Sequence, residues 1–336
     1  MSYIDAEQQA MTPIRPSLKV LLLRRLKILA LLAGLLLVSA VGVYQLAPSW
    51  LVRGWMTWQV WQDQLQARSV KIDGIRWVYY EGGKGPTLIL LHGFGGSAMD
   101  WLPTAKYLVG NFHLLIPDLP GYGQSSPVPV AEGGIHGEAQ ALAGFVQALR
   151  IKHFGLVGHS MGGAIAGVYA AHHPQQVFGL ALLDSAGLPF KLNAFAKQVL
   201  AGKNPFAYTN RAEFQHLLDL VFLHPPKLPG RIEDVFINRN RSRHAFMLGV
   251  LQRLRKPANA TVLVPLLPRL RMPVLGLWCR QDRVIPPDAM QALRQGLQQA
   301  TQIDMTLLND CGHMSMVEKP HETAQAITRF FILPSG

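Results

Sequence analysis

Gly158-His159-Ser160-Met161-Gly162 sets a serine between two glycines, just after an apolar run and just before a run of small residues. His153 to Val157 reads as a short buried strand, and Met161 to Ala171, rich in Gly and Ala, reads as a helix packed tightly against it. Ser160 then sits on a sharp strand-to-helix turn. Such a turn strains the backbone of its central residue, so its neighbours must lack bulk while the hydroxyl projects at the top of a sheet. A helix beginning at Met161 also aims backbone N–H groups at any negative charge that develops nearby. A G-x-S-x-G pentapeptide also arises by chance in a glycine-containing chain, so its meaning depends on whether an acid and a histidine stand in the right places downstream.

A serine nucleophile of this kind needs a histidine to take its proton and a carboxylate to hold that histidine. The same triad geometry occurs in several chain orders; in the known folds that place a serine on a strand-to-helix turn of this kind the order is serine, acid, histidine, each on the loop after a later strand. Pro273 to Cys279 is an apolar strand candidate that runs into Arg280-Gln281-Asp282-Arg283-Val284-Ile285-Pro286, putting Asp282 just beyond its end. Asp304 to Leu308 is another, followed by Asn309-Asp310-Cys311-Gly312-His313. Both side chains are therefore expected beside Ser160 at the carboxyl edge of one sheet. His313 is the candidate general base, and Asp282 the group that fixes its tautomer and stabilises the imidazolium. Taken singly, each has a plain alternative as a capping aspartate or a loop histidine. Asp184, at the end of a strand from Gly179 to Leu183, is a rival acid.

The other half of the site lies upstream. Thr87 to Leu91 has a buried-strand pattern and ends in His92-Gly93-Phe94-Gly95-Gly96, whose glycines let the backbone approach a substrate closely. The N–H of Met161 and the N–H of Phe94 are the candidate oxyanion donors. The Phe94 ring either lines an acyl pocket or packs within its loop. His92 reads as a brace for this loop, and Asp118, which ends a strand ahead of the nucleophile, as a structural loop residue.

Together the segments HGFGG (92–96), DLPGYGQS (118–125), GHSMGG (158–163), CRQDRVIP (279–286) and DCGH (310–313) resemble the α/β-hydrolase superfamily over roughly residues 70 to 334. The small-residue helix Gly162 to Ala171 and a single N-terminal anchor resemble membrane-anchored monoacylglycerol lipases, bacterial lipases and PlaF-like inner-membrane phospholipases A. The resemblance implies an α/β-hydrolase fold, a mostly parallel sheet flanked by helices with a helical cap. It also implies a serine ester hydrolase acting on lipid esters, with Ser160, Asp282 and His313 at the catalytic positions. Serine at the nucleophile position disfavours the dehalogenase and epoxide-hydrolase branches, which use aspartate there. Serine-using carbon–carbon bond hydrolases share these segments and stay open, as does a non-catalytic membrane binding protein that keeps the fold. A membrane anchor argues against the first alternative and a complete triad against the second.

The chain has 336 residues, 49% of them hydrophobic, enough for one large catalytic domain with additions. Ile28 to Ala47 is uncharged and leucine-rich, and as a helix would span about 30 Å, the thickness of a bilayer's hydrocarbon core. Arg15, Lys19, Arg24, Arg25 and Lys27 precede it, whereas Arg53 alone follows closely. That asymmetry predicts a cytoplasmic N-terminus, an inner-membrane anchor and a catalytic domain outside the cytoplasm, periplasmic in a Gram-negative cell. A cleaved signal peptide is the competing reading. Val38-Ser39-Ala40 has the form of a cleavage site, yet the apolar run continues to Ala47. Ala30 and Gly34 make one small-xxx-small step, a weak sign of homodimer pairing through this helix.

Four of the chain's seven tryptophans, Trp50, Trp55, Trp58 and Trp61, fall in the next segment beside polar Gln59, Gln62, Asp63, Gln64 and Gln66. This predicts a juxtamembrane amphipathic helix at the headgroup level, or an aromatic face packed on the catalytic domain. Val70 to Tyr80, with Asp73-Gly74 at a turn, reads as an opening antiparallel hairpin. The expected organisation is a cytoplasmic segment at 1–27, a transmembrane helix at 28–47, the juxtamembrane helix at 48–69, core at 70–187, a helical cap at 188–271 and core again at 272–336.

The cap segment holds 14 Lys and Arg against 4 Asp and Glu, so it carries most of the chain's net charge of +12. Arg239, Arg241, Arg243, Arg253, Arg255 and Lys256 crowd one part of it, either a surface for anionic lipid headgroups or a solvated face. Phe190, Phe195, Phe206, Phe222, Phe236 and Phe246 either line an acyl route or form the cap's own core. Nucleic acid is not expected as a partner, because no binding motif accompanies the charge. No Cys/His cluster has zinc spacing and no glycine loop has dinucleotide or Walker form, so neither metal nor cofactor is expected. Cys279 and Cys311 lie near the ends of two neighbouring strands and are either a disulfide or two buried thiols.

Overall fold

The computed structural model describes residues 17–129 and 134–332. Eight strands carry its frame: β1 (Leu65–Ile72), β2 (Ile75–Gly82), β3 (Thr87–Leu91), β4 (His113–Pro117), β5 (Phe154–His159), β6 (Val177–Leu183), β7 (Val274–Cys279) and β8 (Ile303–Leu308). They form one sheet in the order β1-β2-β4-β3-β5-β6-β7-β8. β1 with β2 and β2 with β4 pair antiparallel, and the remaining neighbours pair parallel. β5 and β7 are buried along their whole length, and β3 and β6 nearly so. Their unbroken apolar runs follow from helices covering both faces of a parallel sheet. The edge strands β1 and β8 keep charged or polar residues instead.

The helices in chain order are α1 (Leu18–Leu46), α2 (Pro48–Gln62), α3 (Leu102–Leu108), α4 (Ile135–Ala148), α5 (Met161–His172), α6 (Ala194–Leu200), α7 (Arg211–Val221), α8 (Gly230–Ser242), α9 (His244–Leu254), α10 (Pro257–Ala260), α11 (Ala289–Gly296), α12 (Ser315–Glu318) and α13 (Pro320–Ile332). One core lies where α4, α5 and α11 cover the sheet, and α3, α12 and α13 cover the opposite face. The five helices α6 to α10 fall in the segment read as a cap, between β6 and β7. Phe214, Leu218 and Ile237 form a small core inside it, with Phe222 and Phe236 packed alongside.

The chain divides into two compact units at Leu51/Val52. In the first, α1 is long and apolar enough to cross a membrane by length and composition, and none of its residues is buried. It begins ten residues before Ile28, because the Lys and Arg that precede the uncharged stretch are themselves good helix formers. Arg15 lies outside the described residues. In the second unit, Val52, Met56 and Val60 form the buried face of α2, at the four-residue spacing of one helix stripe. Trp55, Trp58 and Trp61 are 55%, 52% and 75% exposed, so aliphatic side chains rather than indoles do the packing. The helix stops at Gln62 and β1 starts at Leu65, so residues 65–69 of the expected juxtamembrane segment belong to the sheet. Asp73 and Gly74 turn the β1–β2 hairpin with φ of 48° and 83°, the doubly positive pair that a two-residue hairpin favours.

Candidate active site

The sheet order reverses direction between β3 and β5, and loops leaving the carboxyl ends of such a pair open a crevice where α/β proteins bind ligands. Ser160 occupies that point. It follows β5, caps α5, and has φ 54° and ψ −120°. This left-handed conformation costs a residue with a side chain about 1–3 kcal/mol and persists only where the surroundings enforce it. Here its N–H donates to the Leu183 carbonyl at 2.9 Å and its own carbonyl accepts from the Ala186 N–H at 3.0 Å, pinning the turn to the end of β6. The flanking glycines are needed because the turn is so tight. A Cβ on Gly158 would strike the Gly162 carbonyl, and one on Gly162 would lie 2.7 Å from the Leu91 carbonyl oxygen.

His313 and Asp282 meet as the sequence predicts. His313 Nδ1 lies 2.8 Å from Asp282 Oδ2, with both side chains buried. The other carboxylate oxygen, Oδ1, accepts from the N–H groups of Val284 at 2.7 Å and Ile285 at 3.0 Å. The imidazole therefore donates from Nδ1, which leaves Nε2 as the free base. Burial pushes His313 down to about 3, so the ring is neutral and able to accept a proton. His159, between Gly158 and Ser160, donates from Nε2 to the His313 carbonyl at 2.7 Å, and its ring lies 4.7 Å from the His313 ring. Burial holds His159 well below its ordinary value, so it supports His313 as a neutral group.

The Gly93–Phe94 loop lies against Ser160: a Cβ on Gly93 would stand 3.0 Å from Ser160 Cβ. His92 braces this loop, donating from Nδ1 to the Gly93 carbonyl at 2.8 Å and accepting the Leu119 N–H on Nε2 at 3.0 Å. Asp118 holds neighbouring loops through the N–H groups of Ala98 and Gln124, at 2.8 and 2.7 Å. The Phe94 ring is buried and packs on Phe206 of the cap with centroids 5.0 Å apart. Phe246 sits 5.3 Å from Tyr122, while Phe222 and Phe236 serve the cap's own core. An apolar cavity of about 360 Å³ opens between α6, α7 and the Asp282–Pro286 loop, lined by Phe195, His216, Leu220 and Pro286 among others.

Three features were left open by the sequence or missed in it. Cys279 and Cys311 form a disulfide between the loops that carry Asp282 and His313. Glu318 ties the cap to the histidine loop: Oε1 accepts from Leu223 and His224, both at 2.9 Å, and Oε2 accepts from Gly312 at 2.7 Å. The His313 N–H itself donates to the Val221 carbonyl at the end of α7, at 2.8 Å. The rival acid Asp184 lies fully buried beside Asp282 and does not receive the imidazole.

A covered, mostly parallel sheet with a strained serine at its switch point and a buried acid–histidine pair beside it defines an α/β protein of hydrolase architecture. The chain belongs to the α/β-hydrolase family, whose profile, described as "alpha/beta hydrolase fold", matches residues 86–320. It is 31% identical to Lipase 3 of Moraxella sp. (strain TA144) over 80% of this chain and 85% of that one. It is 28% identical to monoacylglycerol lipase ABHD6 of Bos taurus over 88% of this chain and 90% of its relative. A crystal structure described as a membrane phospholipase A and bacterial virulence factor superposes with a TM-score of 0.80 at 36% identity, covering 90% of this chain and 97% of that one.

Proposed function

We propose that this protein is a membrane-anchored serine hydrolase of lipid acyl esters, working through an acyl-Ser160 intermediate. The observation that carries the reading is the buried 2.8 Å His313–Asp282 hydrogen bond beside a serine strained into a nucleophile turn. Ser160 Oγ attacks the ester carbonyl carbon as His313 Nε2 takes its proton, and the oxyanion is held by the N–H groups of Phe94 and Met161. His313 returns the proton to the leaving alcohol, then activates water to release the fatty acid. Asp282 keeps the proton on Nδ1 and balances the imidazolium. The relatives named as lipases and a phospholipase support lipid esters as the substrate class, and the apolar cavity beside the Asp282 loop gives an acyl chain room.

Membrane attachment rests on α1 and on the exposed tryptophans of α2, whose rings suit the headgroup level. An N-terminus in the cytoplasm, a catalytic domain outside it, and a basic cap facing anionic lipid complete the reading. The disulfide supports the outside placement, because such bonds persist in oxidising compartments.

Purified full-length protein in detergent should release fatty acid from a panel of short-chain esters, monoacylglycerols, lysophospholipids and diacyl phospholipids, and Ser160→Ala should release none. Absence of release by the wild type, or equal activity of the alanine variant, would sink the proposal. A reporter fused after Gly336 that is active only in the cytoplasm would refute the orientation.

A further inference from the structure

A second buried carboxyl lies behind the proposed triad and takes no part in its chemistry. Asp184 follows the last residue of β6, has no exposed surface, and holds φ at 44°, a left-handed conformation that few residues with a side chain adopt. The fold puts it there: β6 lies between β5, which delivers Ser160, and β7, which delivers Asp282. Its N–H donates to the Leu277 carbonyl at 2.9 Å, its Oδ1 accepts the Cys279 N–H at 2.9 Å, and its Oδ2 is 2.8 Å from Ser315 Oγ. Its carboxyl lies close enough to that of Asp282 for the two buried groups to act on one another.

Two carboxyl groups can share a hydrogen bond only if one of them carries a proton. Burial raises both, and two buried like charges in contact cannot both ionise, so the pair holds one proton. The surrounding groups decide where it sits. Three donors converge on Asp282, the Val284 and Ile285 N–H groups and His313 Nδ1, and together they favour its charged form. Asp184 receives only two donors, the Cys279 N–H and the Ser315 hydroxyl. The ionisable groups acting on the pair are the two carboxyls themselves, His313 and Glu318.

We infer that Asp184 is a positioning residue, a neutral carboxylic acid that donates a hydrogen bond to Asp282 and keeps that carboxylate ionised and aimed at His313. No proton is transferred through it. Its contribution is to stop Asp282 from taking up a proton itself at the moment when the imidazolium needs a counter-charge. The inference rests on the catalytic roles proposed for Ser160, His313 and Asp282.

The test is the pH dependence of hydrolysis of a short-chain p-nitrophenyl ester by the full-length protein in detergent. Asp184→Ala removes the donor, and kcat should fall by about 10- to 100-fold, the worth of a hydrogen bond to a charged group, with KM little changed. The acid limb should move to higher pH as Asp282 becomes easier to protonate. Asp184→Asn presents an amide N–H in the same place and should restore most of the lost kcat and the original acid limb. If asparagine is as impaired as alanine, or alanine keeps the wild-type kcat and profile, the inference is overturned. A second measurement holds even if the alanine variant fails to fold. A buried acid with a raised folded-state value stabilises at low pH and loses that contribution as pH rises, whereas asparagine does not titrate. The Tm of Asp184→Asn relative to wild type should therefore climb from pH 5 to pH 9, and a constant difference would count against a neutral Asp184. Failure of the hydrolase reading is separable, since it shows as a wild type without activity or as an active Ser160→Ala.

Discussion

Replacing Cys279 and Cys311 together by alanine should lower the stability of the catalytic domain by about 3.7 kcal/mol without changing its fold. Cys279 ends β7, three residues before Asp282, and Cys311 lies two residues before His313. The strands are parallel neighbours with Cys279 opposite Leu308, and the two Cα atoms are 5.4 Å apart, well within bonding reach. The bond closes a loop with a sequence separation of 32, and the chain entropy that such a crosslink removes from the unfolded state gives the figure above. Unfolding entropy of about 2.1 cal/mol/K per residue, taken over Val52–Gly336, turns that loss into a fall in Tm of about 6 °C. Alanine is preferred to serine because both sites are fully buried and a hydroxyl there would lack a partner. Activity should survive at about a tenth of wild type or better, since the β7–β8 ladder and the His313–Asp282 bond still hold the two loops together. Circular-dichroism melts in detergent without reductant measure the shift, and thiol titration of denatured wild type tests the bond itself. Two free thiols in the wild type, or a Tm change below about 1 °C, would refute the reasoning.

Because burial pushes His313 down to about 3, kcat/KM for a short ester should stay level from pH 8 to about pH 5.5, and an acid limb centred at pH 7 or above would contradict this. The same histidine is depressed relative to the unfolded chain, so its contribution to stability declines as pH falls below about 6.5, and Tm should drop on that side. Glu318→Ala removes the acceptor for three backbone N–H groups joining the cap to the histidine loop. It should cost roughly 2–3 kcal/mol and lower kcat, and an unchanged Tm would show the link to be idle. Gly163→Ala drives a methyl onto Ser185 Oγ and to 2.8 Å from Ser185 Cβ, both in the packed turn behind Ser160. A loss of about 1–3 kcal/mol with slower hydrolysis is expected, and a variant as stable as wild type would show slack in the turn.

Much of the site was readable because its parts are local. The turn needs glycines within two residues of Ser160, and Asp282 and His313 each sit beyond an apolar run of strand length. β3, for example, spans the expected Thr87–Leu91. Boundaries moved where local composition is ambiguous. Leu65 to Ser69 mixes polar and apolar residues like an amphipathic helix, yet it pairs with Gly82 to Val78 as an edge strand. The tryptophans of α2 were identified as a cluster, but which face of the helix packs depends on the surface beneath it, and that surface takes Val52, Met56 and Val60.

By itself the sequence determined the tight turn at Ser160, the placing of Asp282 and His313 beyond the ends of two later strands, the glycine loop at 92–96 and an apolar segment long enough for a membrane. Each follows from backbone strain, periodicity or length over a short span. Only the tertiary structure decided that Cys279 bonds Cys311, that Glu318 ties residues 223–224 to the loop of His313, and that the His313 ring meets Asp282 and not Asp184. These contacts join residues far apart in the chain, and strand order in the sheet sets which loop ends meet.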